Sequence, residues 1–195
     1  IVFRKKKIVK KMIYPIMIYG SPVLRKVAEN IDKDYPELKQ FVEDMWETMY
    51  HSDGLGLAAP QVGKSIRLFV IDGEPLEDEN PELKNFKKVF INAKIVETST
   101  ETISQNEGCL SIPTIREEVG RPAKIRLDYY DEHFNHYNEW FEGMAARVIQ
   151  HEYDHTEGVM FTDKVSPIKK RLLKGKLASI SKGKFSVDYK FRLPK

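Results

Sequence analysis

The chain is poor in cysteine: Cys109 is the only one among 195 residues. A lone cysteine makes no intrachain disulfide, so an apolar core has to hold the fold, and Cys109 is left to packing or to chemistry. No run of ~18 apolar residues occurs, which excludes a membrane-spanning helix, and no n-region and h-region pattern marks a secretory leader. The cytoplasm is therefore the expected compartment, with no membrane partner. Internal repeats and low-complexity tracts are also missing. A length of 195 residues fits one domain, because a single core serves ~100–200 residues.

The net charge of +3 conceals three unequal parts: +6 over residues 1–11, +10 over residues 164–195 and −13 over the body between them. The first part, IVFRKKKIVKK, holds no acid and is followed directly by Met12. We expect residues 1–11 to be an upstream basic extension and residues 12–195 to be one domain ending in a basic segment. Such an end attracts nucleic acid or a ribonucleoprotein surface, or forms a solvated helix face.

The stretch DYPELKQFVEDMWETMYHSDG predicts an amphipathic helix, with Leu38, Phe41, Val42, Met45 and Met49 at helical spacing. Asp34 is the expected cap, Pro36 fits the first turn and Gly54 stops it. Residues 65–72, 89–97, 123–131 and 137–142 read as strands, β-branched and aromatic-rich, the last two pairing across EHFNH. Gly143 opens a second helix running to about His155. The basic end reads as a helix followed by a short strand. Strictly alternating βαβ units are missing, which points to an α+β fold.

Within the second helix lies HEYDH. Residues four apart share a helix face, so His151 and His155 present both imidazoles to one ion, and Glu152 is placed to reach its water. A catalytic divalent site commonly takes three protein ligands. The extended motif H-E-x-x-H-x-x-G-x-x-H fails here, because Phe161 stands in the place of its last histidine. No glutamate or histidine follows Glu157 at all, so a downstream ligand would have to be Asp163 or Asp188. The upstream candidates are His51, His133, His136, Cys109 and carboxylates. His133 and His136 fit a solvated turn, and His51 fits a helix C-terminus. Cys109 stands out, because a Cys-His-His set suits Zn²⁺ or Fe²⁺.

The stretch GLGLAAPQVG matches a dinucleotide fingerprint on paper, but a helix precedes it, and Pro60 and Gly63 interrupt one after it. No dinucleotide is expected. A loop allowing close backbone approach fits better, with Gln61 as its one functional polar side chain.

Together, GLGLAAPQ (54–61), EGCLS (107–111) and HEYDH (151–155) resemble the three motifs of the peptide deformylases, and the likeness extends over roughly residues 12–176. Departures are small: Pro60 before the glutamine, Tyr153 inside the histidine motif, and an acidic loop over residues 73–88. The resemblance implies mostly antiparallel strands packed around a central metal-binding H-E-x-x-H helix, with an N-terminal amphipathic helix and a basic C-terminal segment. Cys109, His151 and His155 would then bind one divalent metal ion per chain, Fe²⁺ in the cell, with Zn²⁺, Ni²⁺ or Co²⁺ replacing it in preparations. Glu152 would be the general acid and base. The Gln61 amide and the Leu110 N–H would hold the oxyanion. Leu55, Gly56 and Gly108 would face an extended peptide, and Val148 with Leu55 would line the methionine pocket. The implied substrate is the N-formylmethionyl end of nascent polypeptides, with ribosome contact through the basic end and formate as product. Glu107 and Arg121 are expected to pair and brace the ligand segment. The competing readings are a zinc endopeptidase using Asp163 or Asp188, and a non-catalytic metal-stabilised ribosome-binding module.

Overall fold

The computed structural model describes residues 11–195; the expected basic extension, Lys11 apart, lies outside them. The element order is β1 (Ile16–Met17), α1 (Leu38–His51), β2 (Gly56–Ala58), β3 (Leu68–Asp72), β4 (Lys87–Thr98), β5 (Thr102–Cys109), β6 (Ile112–Pro122), β7 (Lys124–Tyr130), β8 (His136–Glu142), α2 (Gly143–Thr156), α3 (Pro167–Ser181) and β9 (Phe191–Arg192). The mixed helix and sheet content is that of an α+β protein. One five-stranded sheet runs β2-β3-β4-β7-β8 with every neighbouring pair antiparallel. A separate hairpin pairs β5 with β6, and β1 pairs in parallel with β9.

The period of two in β3 explains how the sheet is covered on both faces. Leu68 and Val70 join the apolar cluster that contains Phe41, Met45 and Met49 of α1, while Phe69 and Ile71 join the one containing Ala145, Ala146 and Ile149 of α2. The sheet thus lies between the two helices. Stacked rings thicken the α2 side, with Phe69 and Phe90 centroids 4.8 Å apart. A third cluster joins Ile112, Ile115 and Val119 of β6 to Leu173, Leu177 and Ile180 of α3. The hairpin is thereby held between α3 and the rest.

Local backbone demands move several expected boundaries. The first helix begins at Leu38, not near Asp34, because Glu37 at its N-cap is left-handed at φ 55°. Asp34 instead sits in a turn, donating its N–H to the Asp32 carboxylate at 2.9 Å. The expected strand at residues 65–72 starts at Leu68. The loop expected at residues 54–61 contains β2, an edge strand that joins the sheet through Gly56↔Ile71. His136 lies in β8 and not in the turn, its ring beside Asp128 at 3.0 Å. No helix among the described residues is long and apolar enough to cross a membrane.

Candidate metal centre

The ligand segment is a strand end bent by a broken register. From Thr102↔Pro122 to Gly108↔Arg116 the β5–β6 ladder is regular, and then it jumps to Cys109↔Ile112. The residues skipped on β6 include Thr114, left-handed at φ 68°. A bulge of this kind re-aims a side chain, and here it turns Cys109 towards α2. The Cys109 Sγ lies 3.3 Å from His155 Nε2. One ligand atom each from Cys109, His151 and His155 all fall within 4.8 Å of one another. Donors ~2–2.3 Å from a shared ion stand roughly 3–4 Å apart; the Cys109–His155 distance is already in that range, and the three atoms together are close enough to converge on one cation with small side-chain shifts. The other expected or competing ligands are placed elsewhere. Asp163 pairs with Arg25 at 2.5 Å and accepts from the Met160 N–H at 2.8 Å, and His133 and His136 are exposed.

His151 is held by its other nitrogen. Its Nδ1 lies 2.9 Å from Glu107 Oε2, which leaves Nε2 for the cluster. Glu107 is itself fixed by the expected partner and by a second arginine: Arg121 donates to both of its oxygens at 2.6 and 2.8 Å, and Arg147 donates to Oε1 at 2.8 Å. Arg121 also reaches Asp154 on α2 at 2.7 Å, while Arg147 donates to the backbone oxygens of Val119 and Ile103. The hairpin and α2 are therefore tied by an ion network whose centre, Arg121, is 2% exposed. Burial works against the Glu107 charge, but the Arg121 and His151 hydrogen bonds outweigh it and hold the carboxyl well below the usual range.

The electrostatics favour a cation. Burial opposes a proton on His151, yet hydrogen bonds to Cys109 and Glu107 raise it to about 10. His155 goes the other way, pushed down first by burial and then by His151. The cluster thus attracts positive charge at His151 and keeps His155 neutral; since ligand imidazoles bind a metal in the neutral form, an ion entering here would displace the His151 proton. Of four buried side-chain atoms without a hydrogen-bond partner among the described residues, two are Glu152 Oε2 and His155 Nδ1 of this group. Glu152 is 4% exposed, and burial raises its carboxyl to about 7. A carboxyl in this condition moves protons near neutrality. Gly56 makes room for it, since a Cβ there would sit 2.6 Å from Glu152 Oε1.

The third motif meets the other two through Gln61, 2% exposed. Its amide oxygen accepts from the Ala58 N–H at 2.8 Å, which fixes the NH₂ towards Cys109 Sγ at 3.6 Å and Ser111 Oγ at 3.3 Å. A cleft of about 560 Å³ opens over this group. Of the metal, catalytic and substrate-binding residues that the resemblance implied, Leu55, Gly56, Gln61, Gly108, Cys109, Leu110, Val148, His151 and Glu152 line it, and His155 lies behind them at 1% exposure.

Sequence reasoning missed several other lining residues. Met144 and Arg147 stand two turns and one turn before His151 on α2, so the helical period would have found them. Leu76, from the acidic loop, and Val187 with Tyr189, from the C-terminal segment, also reach the cleft. No local signal marks those three. Burial, and after it the nearby Cys109, raises the Tyr189 phenol to about 12.

Residues 13–171 match the model of the polypeptide deformylase family. A peptide deformylase of Christiangramia forsetii is 53% identical over 190 residues, covering 94% of this chain and 97% of that one. Among solved structures, peptide deformylase from Thermotoga maritima is 44% identical, with a TM-score of 0.72 over 80% of this chain and 99% of the other. A Plasmodium falciparum peptide deformylase in complex with inhibitor is 34% identical, with a TM-score of 0.75 over 86% and 99%. A match along most of the chain, together with relatives at this identity over nearly their full length, settles the family: the chain belongs to the polypeptide deformylases.

Proposed function

We propose that Cys109, His151 and His155 bind one divalent metal ion and that Glu152, Gln61 and the Leu110 N–H carry out the chemistry beside it. Family membership gives the reaction: the chain is a metal-dependent hydrolase that removes the N-formyl group from nascent polypeptides. The observation that carries the residue assignment is the convergence of three donor atoms within 4.8 Å beside a buried carboxylate with an unpartnered oxygen. When bound, the ion supplies Lewis acidity and an acidified water.

Glu152 takes the proton of the attacking water and returns it to the leaving amine, a double duty suited to a carboxyl raised to about 7. The Gln61 NH₂, fixed through its own oxygen, donates to the oxygen on which charge develops, and the Leu110 N–H is the second donor. Leu55, Gly56 and Gly108 offer backbone groups to an extended peptide, and Leu55 with Val148 lines the pocket for the methionine side chain. All these residues come from residues 54–61, 107–111 and 148–155, which supports reading residues 12–195 as one catalytic unit. Fe²⁺ is the proposed cellular metal, with Zn²⁺, Ni²⁺ or Co²⁺ able to replace it, since one thiolate with two imidazoles suits each of them. Contact with the ribosome through the basic end is part of the same proposal.

The test is formate release from a formyl-methionyl peptide by protein prepared without oxygen, with metal measured on the same sample. We expect one metal ion per chain and loss of both metal and turnover in Cys109→Ala. A Cys109→Ala protein with full metal and full turnover would remove Cys109 from the ligand set.

A further inference from the structure

Tyr189 belongs to none of the three motifs and lies past residue 171, where the family match ends. Its phenol nevertheless donates to the Leu110 carbonyl oxygen at 2.8 Å, and its ring packs with Leu110 against the cluster around α1. Leu110 and Ser111 are the two residues that close the β5–β6 hairpin between the paired Cys109 and Ile112. Three long-range hydrogen bonds hold that turn. The Tyr19 N–H donates to the Ser111 carbonyl at 2.8 Å, the Gln61 NH₂ to Ser111 Oγ at 3.3 Å, and Tyr189 to Leu110. Tyr189 is positioned in turn by β9, which lies along β1 with Ile16 N–H on Lys190 O at 2.9 Å and Ile18 N–H on Arg192 O at 3.0 Å.

The N–H and C=O of Leu110 flank a single Cα, and because the peptide units are rigid only two torsions set their relative aim. The β5–β6 ladder fixes the chain as far as Cys109. Fixing the Leu110 carbonyl on the far side leaves the N–H little freedom to swing away from the cleft. A backbone donor stabilises a developing charge only if it is aimed beforehand.

We propose that Tyr189 is a positioning residue for the reaction: it locks the Leu110 peptide so that the N–H stays directed into the cleft, and the C-terminal segment thereby completes the site. The proposal rests on the reading that Leu110 N–H holds the oxyanion. Tyr189→Phe deletes one hydroxyl and keeps the ring, so packing and the cleft wall are retained. In the metal-loaded protein we expect faster hydrogen exchange at the Leu110 amide. We also expect kcat to fall about 3- to 30-fold, short of the ~10²–10³ typical of outright donor loss. KM, metal content and melting temperature should stay near the parent values.

Unchanged exchange at Leu110 would overturn the proposal, as would faster exchange with parental kcat. Gln61→Leu, assayed in parallel, tells where the fault lies. If it too turns over normally, the oxyanion reading itself is wrong; if it loses turnover while Tyr189→Phe does not, only the role of Tyr189 fails.

Discussion

Glu107 receives four donors on two oxygens, namely Arg121 Nε and Arg147 Nη1 on one and Arg121 Nη2 and His151 Nδ1 on the other. Glu107→Gln therefore keeps the shape but must turn an NH₂ towards donors whichever way the amide lies. The substitution also leaves Arg147 without its carboxylate, while Arg121 retains only Asp154. Removing one partner from a buried pair typically costs about 3–5 kcal/mol, and losing the group that orients a metal-binding histidine costs about 10–100-fold in metal affinity. We expect Glu107→Gln to show both losses in a denaturant melt and in competition with a chelator; parental affinity would separate the network from the metal. Much of this chemistry is legible in the sequence because it is local. His151 and His155 share one helix face with Glu152 next to it, and Glu107 and Cys109 lie two residues apart. Tyr189 escapes such a reading, since nothing near it in the chain points to the turn it holds, and the helical period that places Arg147 beside the cleft does not reveal the carboxylate it holds.

Helices and strands differ in how plainly the sequence announces them. Phe41, Val42, Met45 and Met49 are buried along α1, and their spacing alone marks a helix. The segment Thr102–Cys109 carries no such mark: most of its side chains are exposed or half-buried, so no alternation between apolar and polar residues appears. Its strand character comes from pairing with β6, which is tertiary context. The start of α2 depends on context too. No side chain of Glu142 caps it; instead Glu82, from the acidic loop, accepts the Met144 N–H at 2.8 Å. A carboxylate there satisfies an orphan donor and opposes the helix dipole. Losing a cap costs ~0.5–2 kcal/mol, and Glu82 is exposed, so the lower half applies. Glu82→Ala should lower the melting temperature by a few degrees, at ~2–4 °C per kcal/mol for this length. Glu82→Gln, which keeps an acceptor, should recover part of that. An unchanged melting temperature for the alanine variant would show that the bond contributes nothing.

On the scale of the whole molecule, charge is sorted: residues 12–163 net −13 and residues 164–195 net +10. The fold places part of the positive end on a helix with two different faces. Leu173, Leu177 and Ile180 of α3 are buried in the third cluster, while Lys170, Arg171, Lys174 and Lys176 are exposed. Ile168 and Leu172 are also exposed, at 69% and 74%, beside those cations. A substrate that is still emerging from the ribosome makes a basic docking face useful, because attraction to phosphates raises local concentration without altering the site. Deleting α3 would be a poor test, since it would strip the third cluster of its buried leucines. Reversing Lys170, Arg171 and Lys174 to glutamate leaves the buried face intact. If they contact ribosomal phosphates, the triple variant should cosediment less with ribosomes at low salt, and its affinity should depend less steeply on salt by about 2–3 in log–log slope. Formate release from a short formyl peptide should be unaffected, because the three side chains line no part of the cleft. Equal cosedimentation of variant and parent across the salt range would sink the docking role and leave α3 as a brace for the hairpin that carries Cys109.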